Sequence, residues 1–372
     1  MSRRSLAILA VALGCGLALG AGPASANHVS CGDEITADTT LDSDLVTCEN
    51  NGIVIGADDI TLDLNGHRID GDGTASPGCD PKTELCDFGI ANDGHDGVTV
   101  RDGSVREFGI GVLVGGARRN RVLAISASSH EFFGAVVGGS SRSVIRSGSF
   151  SRNIAPEGDG IGLFGSDHVR IVGNEIRRNP GPGIHVADST ENLIRGNRFG
   201  RNGPGLLMEA DRNRVGRNRF FRDEGVIVLG SRNEVANNRL TRGGIAVENG
   251  RGNLVAGNVV NRARGTGIRL GLAHPPIGGA DNVLRRNLVR GAGRDGFYVA
   301  EKDGHSLLKR NTAIGARGDG FDVNSRSTTL TRNRAARNGG LGIDAVVGVI
   351  DTGGNRAHGN GNPAQCMNVA CS

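Results

Sequence analysis

The sequence contains no tryptophan and one tyrosine in 372 residues, while glycine occurs 62 times. Large aromatic side chains supply much of the buried area of a thick core, so a single bulky hydrophobic interior is excluded. A narrow core repeated many times fits better. Charge of one sign is missing too. Formal net charge is +4, and the basic residues are spread along the whole chain with no localised basic stripe. With so few aromatics, that speaks against a nucleic-acid partner. Beyond the N-terminal segment no apolar run reaches the ~20 residues that span a bilayer, so no membrane span is expected. C-x-x-C spacing and clustered histidines are absent, which argues against structural zinc.

The first residues are informative. Arg3 and Arg4 precede an apolar run from Leu6 to Leu19, followed by Ala24-Ser25-Ala26. These are the three regions of a secretory signal, which places the signal at 1–26 and the mature start at Asn27. A lipoprotein signal at Cys15 and a twin-arginine route through Arg3-Arg4 are alternatives. Removing residues 1–26 leaves 41 basic residues against 39 acidic ones, a net charge of +2. The mature protein is expected to be secreted, extracellular and soluble. Of seven cysteines, Cys15 falls in the signal. The remaining even number suits an oxidising compartment. Proximity suggests Cys31–Cys48, Cys79–Cys86 and Cys366–Cys371 without fixing the connectivity.

From Gly183 to Gly265 one pattern is written four times: Gly, an apolar-x-apolar triplet, Asn, and a second Asn five residues on. The pairs are Asn192/Asn197, Asn213/Asn218, Asn233/Asn238 and Asn253/Asn258. Period-two triplets recurring about every twenty residues describe a β-solenoid. A helix would lose about 1 kcal/mol at each interior glycine. A leucine-rich repeat would place its apolar residues before Asn rather than after it. Glycines opening such triplets, from Gly52 to Gly342, predict about thirteen coils. The organisation expected is all-β: an N-terminal cap at 27–56, the solenoid at 57–350 and a C-terminal cap or tail at 351–372, with disulfides stapling the ends. A loop is expected at 74–88 and an insertion at 274–279.

Asn174, Asn197, Asn218, Asn238, Asn258, Asn287, Asn311 and Asn333 share one phase of the repeat. Stacked coils would pile their amides into a hydrogen-bonded ladder. Asn also tolerates the left-handed backbone that a sharp corner needs.

The segments LDLNGHRIDGDG (62–73), VTVRDGSVREFGIGV (98–112), the glycine-opened Asn coils and NGNPAQCMNVAC (360–371) resemble secreted right-handed parallel β-helix proteins of the pectate-lyase-like superfamily, of actinobacterial type. The resemblance covers about residues 31–371 and implies that the solenoid is right-handed. Pectate lyases, polygalacturonases, alginate epimerases and periplasmic factors for nitrous oxide reductase maturation share this fold, so the resemblance does not choose an activity. GDGFDVN (318–324) is similar to the Y-G-F-D-P-H strand of alginate epimerases, with Asp322 on the Asp and Val323-Asn324 in place of Pro-His.

The middle residue of each triplet should face outward. In four successive late coils it is Arg269, Tyr298, Asp322 and Asp344. Paired carboxylates separate into an acid and a base, Arg269 would neutralise a uronate, and Tyr298 would serve as acid or base in elimination. These four are the expected catalytic residues, in a lyase or epimerase acting on an acidic polysaccharide. A rigid non-catalytic rod for surface adhesion is the alternative. The expected partner is a polysaccharide or cell-surface glycan and the expected state is a monomer. His185 shares the outward column but lies four coils from Arg269, beside Phe164 and Leu207. No cofactor is expected; Asp70, Asp72, Asp80 and Asp87 are candidate donors for Ca²⁺.

Overall fold

The computed structural model describes residues 28–74, 86–154, 156, 158–272, 274 and 277–372. The signal segment, Cys79, Asp80 and most of the 74–88 loop lie outside the described residues. Cys31–Cys48 and Cys366–Cys371 are bonded, and Cys86 is a disulfide cysteine.

Among the described residues every element is a strand. A representative coil runs Ile184–Ala187, Leu193–Arg195 and Arg198–Gly200, here termed its first, second and third faces. Each strand pairs in parallel with its counterpart one coil on, as Ile184 does with Leu206, Leu193 with Arg214 and Arg198 with Arg219. The first faces form one fifteen-stranded sheet, about 65 Å long at the spacing of hydrogen-bonded strands. That is two strands more than the thirteen glycine-opened triplets. The additions are Asp33–Ile35 and Cys366–Met367, at the two disulfide-bonded ends. Neither has the glycine-opened apolar-x-apolar triplet: Gly32 precedes Asp33 rather than an apolar residue, and Gln365 precedes Cys366, so periodicity did not reveal them.

The opening glycines have a steric cause. A Cβ on Gly160 would lie 2.4 Å from the Gly183 carbonyl oxygen, and one on Gly183 would lie 2.7 Å from that of Gly205. Backbones of successive coils therefore touch where the third face turns into the first. The triplet then alternates as expected: Ile184 and Val186 are buried, and His185 between them is half-buried. Fully burying an Ile or Val side chain is worth ~1.5–3 kcal/mol, and the alternation recurs in later coils, as at Phe297–Val299 and Phe321–Val323.

The asparagines form the expected ladder. The Asn197 amide donates to Asn218 Oδ1 at 3.2 Å and to the Ile171 carbonyl at 2.8 Å, and the Asn197 backbone N–H donates to Asn218 Oδ1 at 2.8 Å. Asn218, Asn238 and Asn258 repeat the arrangement. A second ladder joins Asn192, Asn213, Asn233, Asn253 and Asn282. The left-handed residue is not the ladder Asn, however. It is the residue before it: Gly196 (φ 69°), Arg217 (φ 57°), Asn237 (φ 57°) and Gly257 (φ 64°). That residue turns the corner, and the turn drives the following Asn side chain inward. A non-glycine residue there costs roughly 1–2 kcal/mol, which the buried hydrogen bonds of the ladder offset.

Candidate functional site

Along the first face the outer surface changes character. In the early coils Val136 is buried with Phe88, Ala91 and Ile110, and Leu113, Phe132, Phe133 and Phe164 pack over them. Phe133 and Phe164 meet edge to face at 5.7 Å. Gly162 permits this, since a Cβ there would lie 2.4 Å from the Phe164 ring. Val136, an outward position by the triplet rule, is thus covered by aromatic side chains of neighbouring coils, whereas the outward Leu207, Ile227 and Leu229 further along are half-buried.

One coil on, His185 contacts the Phe164 ring at 5.4 Å and stands 3.4 Å from Asp159 and 3.1 Å from Glu209. Asp159, more than Glu209, raises its pKa, against the effect of burial. Column alignment gave Phe164 as a neighbour but missed Asp159, which belongs to the strand beginning before Gly160 rather than to an outward column.

Arg269 lies opposite Tyr298, Tyr298 opposite Asp322, and Asp322 opposite Asp344, in unbroken register. The four expected residues therefore form one line, about 4.8 Å per step. Beneath them the Phe297 and Phe321 rings stack at 4.6 Å and fix the height of the strands that carry Tyr298 and Asp322.

The electrostatics differ from the expectation. The Arg269 guanidinium is bound by the Glu248 carboxylate, so it is not a free cation awaiting a uronate. Glu248 sits in the neighbouring outward column one coil earlier, a position legible in the sequence but unlinked to Arg269 there. Burial pushes the Asp322 carboxyl up to about 6; the Asn324 amide, donating at 2.7 Å, opposes this, and Asp295, Asp319 and Asp344 reinforce it. The Tyr298 phenol is also raised, by burial first and then by Asp322, Asp295 and Glu301. Sequence reasoning had not singled out Asp295 and Asp319. They form a corner ladder: Asp295 accepts the Asp319 N–H at 2.9 Å and Asp319 accepts the Leu341 N–H at 2.5 Å. The signal was present as Asp-Gly at 295–296 and 319–320, in the phase of the opening glycines.

Two clefts flank this face. One, of about 280 Å³, is lined by Arg242, Arg264, Arg269 and Ile227 among others. Another, of about 340 Å³, holds Asp87, Glu107 and Glu131 near the N-terminal end. Burial is the main reason that Asp87 is raised to about 6. Of the expected Ca²⁺ donors, Asp70 is clasped by Arg106 at 2.6 and 2.7 Å, and Asp87 accepts the Gly109 N–H at 2.9 Å. Among the described residues no three His, Cys, Asp or Glu side chains converge as a metal-binding group.

Comparison with known proteins agrees with this architecture. Residues 88–240 match the model of the right handed beta helix region. The protein is a right-handed parallel β-helix. Residues 221–360 of this β-helix also match the model of the periplasmic copper-binding protein NosD. Copper favours imidazole and sulfur donors. In residues 221–360 there is no Cys or Met, and the three histidines, His274, His305 and His358, sit in separate coils. The described residues do not fit a copper site. No curated protein matches the sequence.

Solved structures share the fold at low identity. The catalytic domain of a GH87 α-1,3-glucanase in complex with tetrasaccharides is 12% identical over 88% of this chain and 64% of that one, with a TM-score of 0.51. DFA-IIIase from Arthrobacter chlorophenolicus A6 in complex with GF2 is 15% identical over 71% and 67%, TM-score 0.45. The tailspike of E. coli bacteriophage HK620 in complex with a hexasaccharide is 12% identical over 91% and 64%, TM-score 0.43. The chain thus spans about two thirds of the length of these structures. No helix of the described residues is long and apolar enough to cross a membrane.

Proposed function

We propose that this β-helix is an exported carbohydrate-active protein that cleaves a polysaccharide laid across its C-terminal coils. The supporting observation is the Asp322 carboxyl, raised to about 6 and one coil from Asp344. A carboxyl group near that value is protonated in part around neutrality and serves as a general acid. Asp322 gives its proton to the glycosidic oxygen as the bond to the anomeric carbon breaks. Asp344, one strand spacing away, is nearer than the ~6.5–9.5 Å that leaves room for a water between two carboxyls. It therefore attacks the anomeric carbon as nucleophile, and water then hydrolyses the glycosyl-enzyme while Asp322 takes back the proton. Elimination is less well served than the sequence suggested. Arg269 is engaged by Glu248, and Tyr298 is shifted away from its phenolate form. Neighbouring folds in complex with oligosaccharides agree with a glycan partner. The disulfides agree with an exported protein.

The test is to incubate the mature protein with α-1,3-glucan, inulin, pectate, alginate and hyaluronan, following reducing ends and ultraviolet absorbance together. Hydrolysis yields new reducing ends without absorbance. Absorbance would replace hydrolysis by lyase chemistry. Tight glycan binding with neither signal would leave the non-catalytic adhesion rod as the better reading.

A further inference from the structure

Arginines scattered in the sequence are gathered by the fold into columns. At the corner after the third face, the N–H groups of Arg178, Arg201, Arg222, Arg242 and Arg262 each donate to the strand of the next coil, to Gly200, Phe221, Thr241, Asn261 and Arg290 respectively. These five arginines therefore stack on five successive coils. Beside them on the third face, Arg198 lies opposite Arg219 and Arg219 opposite Arg239. The expectation that no basic stripe exists is overturned here, because spacings of 20 to 23 residues dispersed in the sequence what register brings together.

Like charges placed directly opposite one another on neighbouring strands are destabilising. None of these eight arginines forms an ion pair with a described carboxylate. All are exposed except Arg222, which is half-buried. Its guanidinium lies 5.1 Å over the exposed Phe221 ring, and its buried Nε has no partner. A shallow cleft of about 260 Å³ opens on the same edge, lined by Arg177, Arg178, Arg198, Arg201, Phe221 and one carboxylate, Glu175, which lies opposite Arg198 and pairs with Arg177 at 3.0 Å.

We propose that this edge binds a linear anionic polysaccharide running along the rod axis. The inference stands apart from whether Asp322 turns over a substrate. Each column offers about one guanidinium per 4.8 Å, and a planar guanidinium pairs bidentately with carboxylate or sulfate. A glycan with an acidic group on each sugar presents such groups in a comparable row. Single-stranded nucleic acid would need successive aromatic platforms, and along these coils Phe221 is the one exposed aromatic among the described residues. The edge also continues through Arg242 into the cleft shared with Arg264 and Arg269, so a bound chain has a route onto the first face.

The experiment measures binding of the mature protein to fluorescent polygalacturonate and dextran sulfate at increasing NaCl, with neutral dextran and single-stranded DNA as competing probes. The variant Arg198→Gln/Arg219→Gln/Arg239→Gln is compared with Arg195→Gln/Arg214→Gln/Arg285→Gln, which removes equal charge from the second face. The expected result is that at least one acidic glycan binds and neutral dextran does not. The third-face variant should bind roughly tenfold or more weakly, with the slope of log Kd against log salt reduced by about three, while the second-face variant changes less than about twofold. Equal weakening in both variants, absence of binding to both acidic glycans, or tighter binding of single-stranded DNA would each overturn the proposal. Circular dichroism of both variants verifies that the folds are intact.

Discussion

The first face of the early coils and that of the late coils have the same interior and opposite exteriors. Beneath both, alternating aliphatic or phenylalanine side chains fill the same narrow core. Outside, Phe133, Phe164 and Val136 close over one another in the early coils, whereas Tyr298, Asp322 and Asp344 line the late ones. The contrast shows how a solenoid separates stability from chemistry. Inward positions and corner asparagines repeat because each coil must stack on the next. Outward positions are free to diverge, since nothing in the stacking depends on them.

The sharpest way to break this contrast is through activity. Asp322→Asn should lower kcat by roughly 10²–10⁴-fold, the usual contribution of a general acid, with the melting temperature little changed. Phe164→Ser on the early coils should leave kcat at the wild-type level. Should both variants lose activity alike, the two exteriors are not functionally distinct and the late-coil site is wrong.

The shared interior is testable next. Asn197→Ala removes the acceptor for the Asn174 N–H at 2.9 Å and for its amide at 3.1 Å, and the donor to the Ile171 carbonyl at 2.8 Å. Asn311→Ala removes the equivalent bonds to Asn287 and Leu284 in the late coils, at 3.0, 3.0 and 2.8 Å. Each buried group left unpaired costs ~1–3 kcal/mol, so each variant should lose roughly 3–5 kcal/mol in urea denaturation. Losses that differ widely between the two would show that the halves are not built alike.

One buried group in each half responds to acidity with opposite sign. His130 is fully buried, accepts the Phe108 N–H at 3.3 Å and lies 3.2 Å from the Val105 carbonyl. Burial lowers its pKa to about 4. Its folded form prefers the neutral ring, so its contribution is complete above the unfolded value of 6.5 and is lost as pH falls towards about 4. That amounts to roughly 3 kcal/mol. Asp322 is raised from 3.8 to about 6. Its contribution is present below 3.8 and is lost as pH rises through about 6. Urea midpoints between about pH 4 and pH 7 should therefore show a flatter acid limb for His130→Asn and the opposite change for Asp322→Asn. Identical pH profiles for both variants would refute the assignment.

The line from Arg269 to Asp344 was legible because one outward residue per triplet, at a regular period, can align only one way. The ladder from Asn174 to Asn333 was legible for the same reason. Contacts between different phases were not. Glu248 clamping Arg269, and Asp159 reaching His185, join residues of different columns in neighbouring coils, where the angle between side chains decides whether they meet. The left-handed corner was displaced by one residue, from the ladder Asn to the Gly, Arg or Asn before it, because composition does not tell which of two adjacent residues turns.

What the amino-acid order alone determined is the coil. Glycine is required where backbones touch, apolar pairs point inward, and Asn supplies a buried group able to donate and accept at once. Those are local demands repeated at a fixed period, and they survive reading one residue at a time. Only the stacked structure decided the charge pattern: which carboxylates crowd Asp322, which cation is already paired, and that arginines about twenty residues apart stand side by side. Electrostatic energy depends on distance through space, and in a solenoid that distance is set by register rather than by separation along the chain.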